Sequence, residues 1–130
     1  MSVSVTALYA SLLALLVVAL AARISLLRKK HRVGIGDGGN RELALAVRVH
    51  ANAAEYVPLG VLLLLIAELQ GLPAWSLHLA GSALFLGRIL HAAGLGRSAG
   101  TSAGRFVGMT FTWMMILALA VVLALRTLTA

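Results

Sequence analysis

The chain is 130 residues long, 61% apolar and only 12% charged, with a mean hydropathy of +0.98, which excludes a soluble domain of ordinary composition and indicates an integral membrane protein. Its formal charge of +7 does not indicate nucleic-acid binding, because the basic residues sit at helix ends and lack interleaved aromatics. It contains no cysteine, so disulfides, thiolate metal sites and a cysteine nucleophile are excluded, and any thiol chemistry must use a thiol carried in by a substrate.

Four apolar stretches, each near the roughly 20 residues that cross about 30 Å of hydrocarbon, predict four membrane spans within a single domain. The first covers Val3–Leu27. With no basic region before it and a cationic cluster after it, it reads as a retained span and not a cleaved signal peptide. Arg28, Lys29, Lys30, Arg32 and Arg41 follow in the first connection, which ends in the turn Gly34-Ile35-Gly36-Asp37-Gly38-Gly39-Asn40. No strand precedes that turn and no Gly-Lys-Ser/Thr follows, so it carries no phosphate-loop pattern. Asn40 is placed to cap the second helix. The second span covers Leu43–Glu68, and Gly71-Leu72-Pro73 turns it back into the third, Ala74–Ala93, as an antiparallel hairpin. The small, polar segment Gly94–Gly104 leads to the fourth, Phe106–Leu125. Gly100, Gly104 and Gly108 form a small-residue repeat suited to close helix packing. Trp75 and Trp113 suit interfacial positions, although Trp113 lies deep enough to pack.

Basic residues crowd the first connection and recur in the third as Arg97 and Arg105, whereas the second has none. This positive-inside asymmetry predicts both termini outside and connections one and three in the cytoplasm. The same cluster also suits anionic lipid headgroups.

The second span is interrupted by Arg48, Asn52 and Glu55, spaced four and then three apart, which at helical pitch share one face. An ionised side chain at a bilayer centre costs at least about 2.5–3.5 kcal/mol on insertion scales, so such a stripe must be paired internally, with other helices or with a ligand. The topology brings Arg88 and His91, one turn apart near the end of the third span, and Arg105, at the start of the fourth, to the same leaflet. Glu68, His78 and Arg126 are left in the other, where Glu68 and Arg126 can snorkel to water. The result is a cytoplasm-facing cavity with surplus arginine and a single acid. It suits a small anionic ligand that also carries an amino group, because arginine stays charged and grips carboxylates bidentately. One glutamate and scattered histidines are too thin a set for a metal. Each residue also has a structural reading: Arg48 and Glu55 as an i, i+7 ion pair, Arg88 as a snorkelling residue, His91 as a packing residue, Arg105 as a topology determinant. Tyr56 is either a donor into the site or a headgroup aromatic. The shared depth of the group favours a site.

The run from Arg48 to Pro58, together with Gly87-Arg88-Ile89-Leu90-His91 and Arg105, resembles the MAPEG family, the membrane-associated proteins of eicosanoid and glutathione metabolism. The likeness covers roughly Leu8 to Leu125. Gly36-Asp37-Gly38-Gly39-Asn40 before the second helix resembles the bacterial branch, similar to microsomal glutathione transferases. The resemblance implies an all-α, four-transmembrane-helix bundle assembled as a homotrimer, with glutathione as co-substrate held between subunits near the cytoplasmic face of a bacterial inner membrane. Arg48, Asn52 and Glu55 would hold the glutathione peptide, with Glu55 facing its amino group. Tyr56, Arg88 and His91 would complete the pocket. His50 would sit at a cross-subunit contact, and Arg28 or Arg23 would reach in from the first helix. Arg105 would be the catalytic residue, stabilising the glutathione thiolate by direct charge attraction. The implied activity is conjugation or peroxide reduction on small hydrophobic electrophiles drawn from the bilayer. Eicosanoid-making members have tyrosines near the end of the third helix, where this chain has Leu95, which argues against a specialised eicosanoid synthase.

Two other classes fit the composition. A small four-helix multidrug transporter would use Glu55 as its proton and cation site, but the first span holds no acid and surplus arginine repels cationic drugs. A non-catalytic lipid-binding or assembly module would use the polar stripe only to specify its oligomer.

Overall fold

Four helices make up the computed structural model, which describes residues 3–97 and 102–129, with residues 95–97 by backbone alone. They are α1 (Ser4–His31), α2 (Arg41–Leu69), α3 (Ala74–Arg97) and α4 (Ala103–Leu128). Each coincides with one predicted apolar stretch and runs past it at one end or both, α1 starting one residue later than expected, at Ser4. α1 continues through Arg28, Lys29, Lys30 and His31, where positive charge meets the negative end of the helix dipole. α2 begins at Arg41 because the Asn40 side chain accepts from the Leu43 amide at 3.0 Å, as its sequence position predicts. α4 has a cap not anticipated from sequence: Ser102 Oγ accepts from the Arg105 amide at 3.3 Å.

α1, α2 and α4 are each long and apolar enough to cross a membrane. α3 has 24 residues and therefore the length, about 36 Å at 1.5 Å per residue. Its apolar surface, however, is broken by His78, Ser82, Arg88 and His91. It can carry them because it is central. α2 and α3 each pack on all three other helices, whereas α1 and α4 flank this pair and do not touch among the described residues. The core between the helices is aliphatic, with Leu13, Leu64 and Leu84 fully buried and Ala53 and Ala67 filling the closest approaches. Trp75 and Trp113 both face outward.

The α3–α4 crossing depends on glycine. A methyl group at Gly108 would collide with the Gly87 carbonyl and the His91 backbone, and one at Gly94 with the Arg105 amide. Gly104 and Gly108 of the small-residue repeat thus do pack as expected, while Gly100 lies outside the described residues.

Glu68 departs from its predicted snorkelling. Its carboxylate accepts from the Val5 amide at 3.0 Å and the Thr6 amide at 2.7 Å. α1 has no capping side chain of its own, and the first N–H groups of any helix lack partners within it. A carboxylate supplied by α2 satisfies two of them and places negative charge at the positive end of the dipole. Tyr9 fixes the same end of the bundle sideways. Its hydroxyl lies 2.7 Å from Ser82 Oγ and 3.2 Å from His78 Nδ1, and its ring occupies the space a side chain at Gly81 would need. Arg126 is exposed, as a snorkelling residue should be, and donates to the Gln70 carbonyl at 2.8 Å.

Candidate functional site

At the other end of the bundle, near the α1–α2 and α3–α4 connections, α2 and α3 bring Asn52, Arg88 and His91 together out of contact with solvent. Arg88 is 1% exposed. Its Nη2 donates to Asn52 Oδ1 at 2.7 Å and lies 3.1 Å from His91 Nδ1. A guanidinium can only donate, so His91 Nδ1 accepts here and its proton resides on Nε2. Nη1 of Arg88 donates to the thioether of Met109 on α4 at 3.5 Å. The Tyr56 ring centroid lies 6.0 Å from the guanidinium carbon, within cation–π range. Arg88 Nε is buried without a hydrogen-bond partner among the described residues.

The acids explain what is unusual about this centre. Asp37 accepts from the Gly39 amide in its own turn. Glu42 pairs with Lys30 at 3.3 Å and faces His31 at 3.7 Å. Glu55 pairs with Arg48 at 3.6 Å, and Glu68 caps α1. These are all four acidic residues of the chain, so among the described residues no carboxylate pairs with Arg88. A buried charge without a counter-charge is costly; here it is held by neutral acceptors, a π face and a sulfur.

The predicted stripe on α2 therefore divides. Asn52 turns inward to Arg88, whereas Arg48 and Glu55, about 40° and 60° round from it on the same side at helical pitch, are exposed and bond to each other without Asn52 as a relay. The boundary between core and surface runs along the stripe. Arg28 and Arg48 line a cleft of about 260 Å³ with Gly36, Asp37, Ala44, Val47 and Ala51, and Arg28 donates to the Gly34 carbonyl at 3.0 Å. Arg23 is exposed on α1. His50 is half-buried on a different face of α2, about 160° round from Asn52, and makes no hydrogen bond or ion pair among the described residues. The side chain of Leu95 lies outside the description.

Arg105 is exposed in the first turn of α4, where it lines a cleft of about 650 Å³ with Ser102, Ala103, Phe106, Met109, Thr110 and Trp113. Met109 belongs both to this cleft and to the Arg88 centre. Sequence reasoning missed it, since a methionine in an apolar helix carries no signal beyond lying one turn from Arg105.

This is a small helical membrane protein with a buried, carboxylate-free arginine at one end of its central helix pair and an arginine-lined cleft beside it. Its sequence matches the model of the MAPEG family over residues 6–125, and the chain belongs to that family. It is 40% identical over 113 residues to the inner membrane protein YecN of Escherichia coli strain K12, covering 87% of this chain and 85% of that one. The same values relate it to YecN of Escherichia coli O6:H1, strain CFT073.

Proposed function

We infer that the protein is a glutathione-dependent transferase or peroxidase of the bacterial inner membrane, acting as a homotrimer on small hydrophobic electrophiles. The observation that carries this reading is the positive charge at one end of the bundle. Arg88 has no acidic partner among the described residues, while Arg48 and Arg105 are exposed beside clefts, so the site has a surplus of cations for an anionic ligand. The Arg48–Glu55 pair is spaced at 3.6 Å and exposed. It can open to a zwitterion, with Arg48 taking a carboxylate and Glu55 the amino group. Glutathione has both groups, and its thiol supplies the nucleophile that this cysteine-free chain lacks.

In this reading Asn52, held by Arg88, and the Arg48–Glu55 pair orient the peptide. Arg105 favours the thiolate by charge attraction in a partly dehydrated cleft. The thiolate attacks an electrophile arriving from the bilayer along Phe106 and Trp113. It displaces a leaving group, or takes the terminal oxygen of a hydroperoxide to give an alcohol and a sulfenic acid, which a second glutathione reduces to the disulfide. In this reading the same end lies in the cytoplasm, where glutathione resides, with both termini outside, and the positive-inside asymmetry supports that orientation.

Calorimetry with glutathione on the detergent-purified protein tests the reading. Saturable binding that Arg48→Ala and Glu55→Gln each abolish supports it. No binding up to millimolar glutathione, with the oligomer intact, refutes it in favour of an assembly or lipid-binding role.

A further inference from the structure

We propose that the face between α1 and α2 binds a phospholipid with a primary-amine headgroup. Its phosphate meets Arg28 and Arg48, its ammonium meets Asp37, and one acyl chain lies along the two helices. The site shares Arg48 with the glutathione reading, but lipid binding is measured without the peptide, so either can fail alone.

Two cavities on one face carry the proposal. Beside the first connection, Arg28, Asp37 and Arg48 line the cleft of about 260 Å³. Further along the same two helices, Ala10, Ala14 and Val18 of α1 and Ala54, Pro58 and Val61 of α2 line a groove of about 410 Å³ that contains no charged side chain. The cavities are in register. Ala51 in the cleft and Pro58 in the groove are seven residues apart, so they differ by about 20° round α2. Arg28 and Val17 are eleven apart and differ by about 20° round α1. A charged cleft is thus followed, about one turn deeper along α2, by an apolar groove, which is the polarity profile of a phospholipid.

The charges in the cleft are of both signs and do not neutralise one another. Asp37 forms no ion pair with Arg28 or Arg48 among the described residues. One of its oxygens accepts from the Gly39 amide at 2.9 Å. Arg28 gives one N–H to the Gly34 carbonyl at 3.0 Å, and exposed Arg48 meets Glu55 at 3.6 Å. Each guanidinium therefore keeps donors to spare, and Asp37 keeps an oxygen. A simple anion would be drawn by the arginines and repelled by the aspartate, whereas a zwitterion satisfies all three.

Phosphatidylethanolamine joins its phosphate and ammonium through a short ethyl linker, so both reach the walls of one small cleft. Glutathione is zwitterionic too, but it has no hydrocarbon to lay in the groove. A chain already in the bilayer gains nothing from leaving water, so the groove contributes contact and alignment. Selectivity comes from the headgroup.

Delipidated protein in detergent is titrated with dioleoyl phosphatidylethanolamine or dioleoyl phosphatidylcholine, and bound lipid is counted by native mass spectrometry. The two lipids share phosphate, chains and net charge, and differ in the N-methyl groups that remove the N–H donors. The amine lipid should bind about threefold tighter, the effect of one exposed ion pair. Asp37→Asn should bring the two to parity, and Arg28→Gln should weaken both by about fivefold. Soluble glycerophosphoethanolamine, which has the headgroup without the chains, should not displace the lipid at equal concentration. Equal affinity for the two lipids in the wild-type protein overturns the proposal, and this comparison decides it even where a variant does not fold. A preference undiminished in folded Asp37→Asn protein overturns it as well. So does displacement by the soluble headgroup, which would leave the groove without a part. An intact oligomer that binds neither lipid overturns it in favour of a second copy of the chain covering the groove.

Discussion

Replacing Gly108 with alanine tests whether the α3–α4 crossing is set by backbone contact. The added methyl would meet the Gly87 carbonyl and the His91 amide, with His91 Cα at 2.9 Å. Carbon atoms prefer about 3.5–4.0 Å, and none of these atoms belongs to a side chain that can rotate away. The helices must therefore separate by something on the order of 1 Å. Overpacking of this kind costs about 1–3 kcal/mol, and the better helix propensity of alanine returns about 0.8–1.0 kcal/mol. The expected net loss is therefore between zero and about 2 kcal/mol. Gly60→Ala is the matched control, because its methyl would meet only the end of the Leu84 side chain, and its net effect should be smaller. Thermal unfolding in detergent, followed by circular dichroism, compares the two. A Gly108→Ala protein as stable as Gly60→Ala would show that the crossing is not held at backbone contact. The same separation would draw Met109 and Arg105 away from Arg88, so glutathione binding should weaken in parallel.

Asn52→Leu removes the 2.7 Å acceptor of Arg88 and should destabilise by about 1–3 kcal/mol, the cost of a buried donor left without a partner, read as a fall in the unfolding midpoint. Glu68→Ala should cost about 0.5–2 kcal/mol, as for loss of an N-cap, with faster hydrogen exchange at the Val5 and Thr6 amides; Glu68→Gln, which keeps one acceptor, should lie between it and wild type. Tyr9→Phe loses the bonds to Ser82 and His78 and should cost about 1 kcal/mol, again measured by thermal unfolding. All three should leave helix content unchanged by circular dichroism.

The helices are readable because length and hydropathy alone require them, and Asn40 because a cap acts within a single turn. Arg88 and His91 are readable as neighbours because they are one turn apart on one helix. What sequence conceals is contact across the bundle. An acid at a span end reads as snorkelling, and nothing near Glu68 in the chain shows that its partners are amides 62 and 63 residues away. The bond from Arg88 to Met109 is hidden for the same reason. The division between Asn52 and the Arg48–Glu55 pair is hidden differently. A shared helical face is a matter of angle, and only packing decides which side of a 60° stripe is covered. Family resemblance supplies His50 as a site residue, yet the single chain places it away from Arg88.

The cap on α1 also bears on how the protein is made. α1 is synthesised before α2, with its leading amides unpartnered, and the carboxylate that satisfies them is at the far end of α2. In a membrane those amides have no water to turn to once they are buried. The first hairpin is thus incomplete until α2 has been synthesised through Glu68, and closure of that contact sets the alignment of α1 against α2. A misplaced or foreshortened α2 would leave those α1 amides without their acceptor, so one carboxylate ties the alignment of the first hairpin to the length of its second helix.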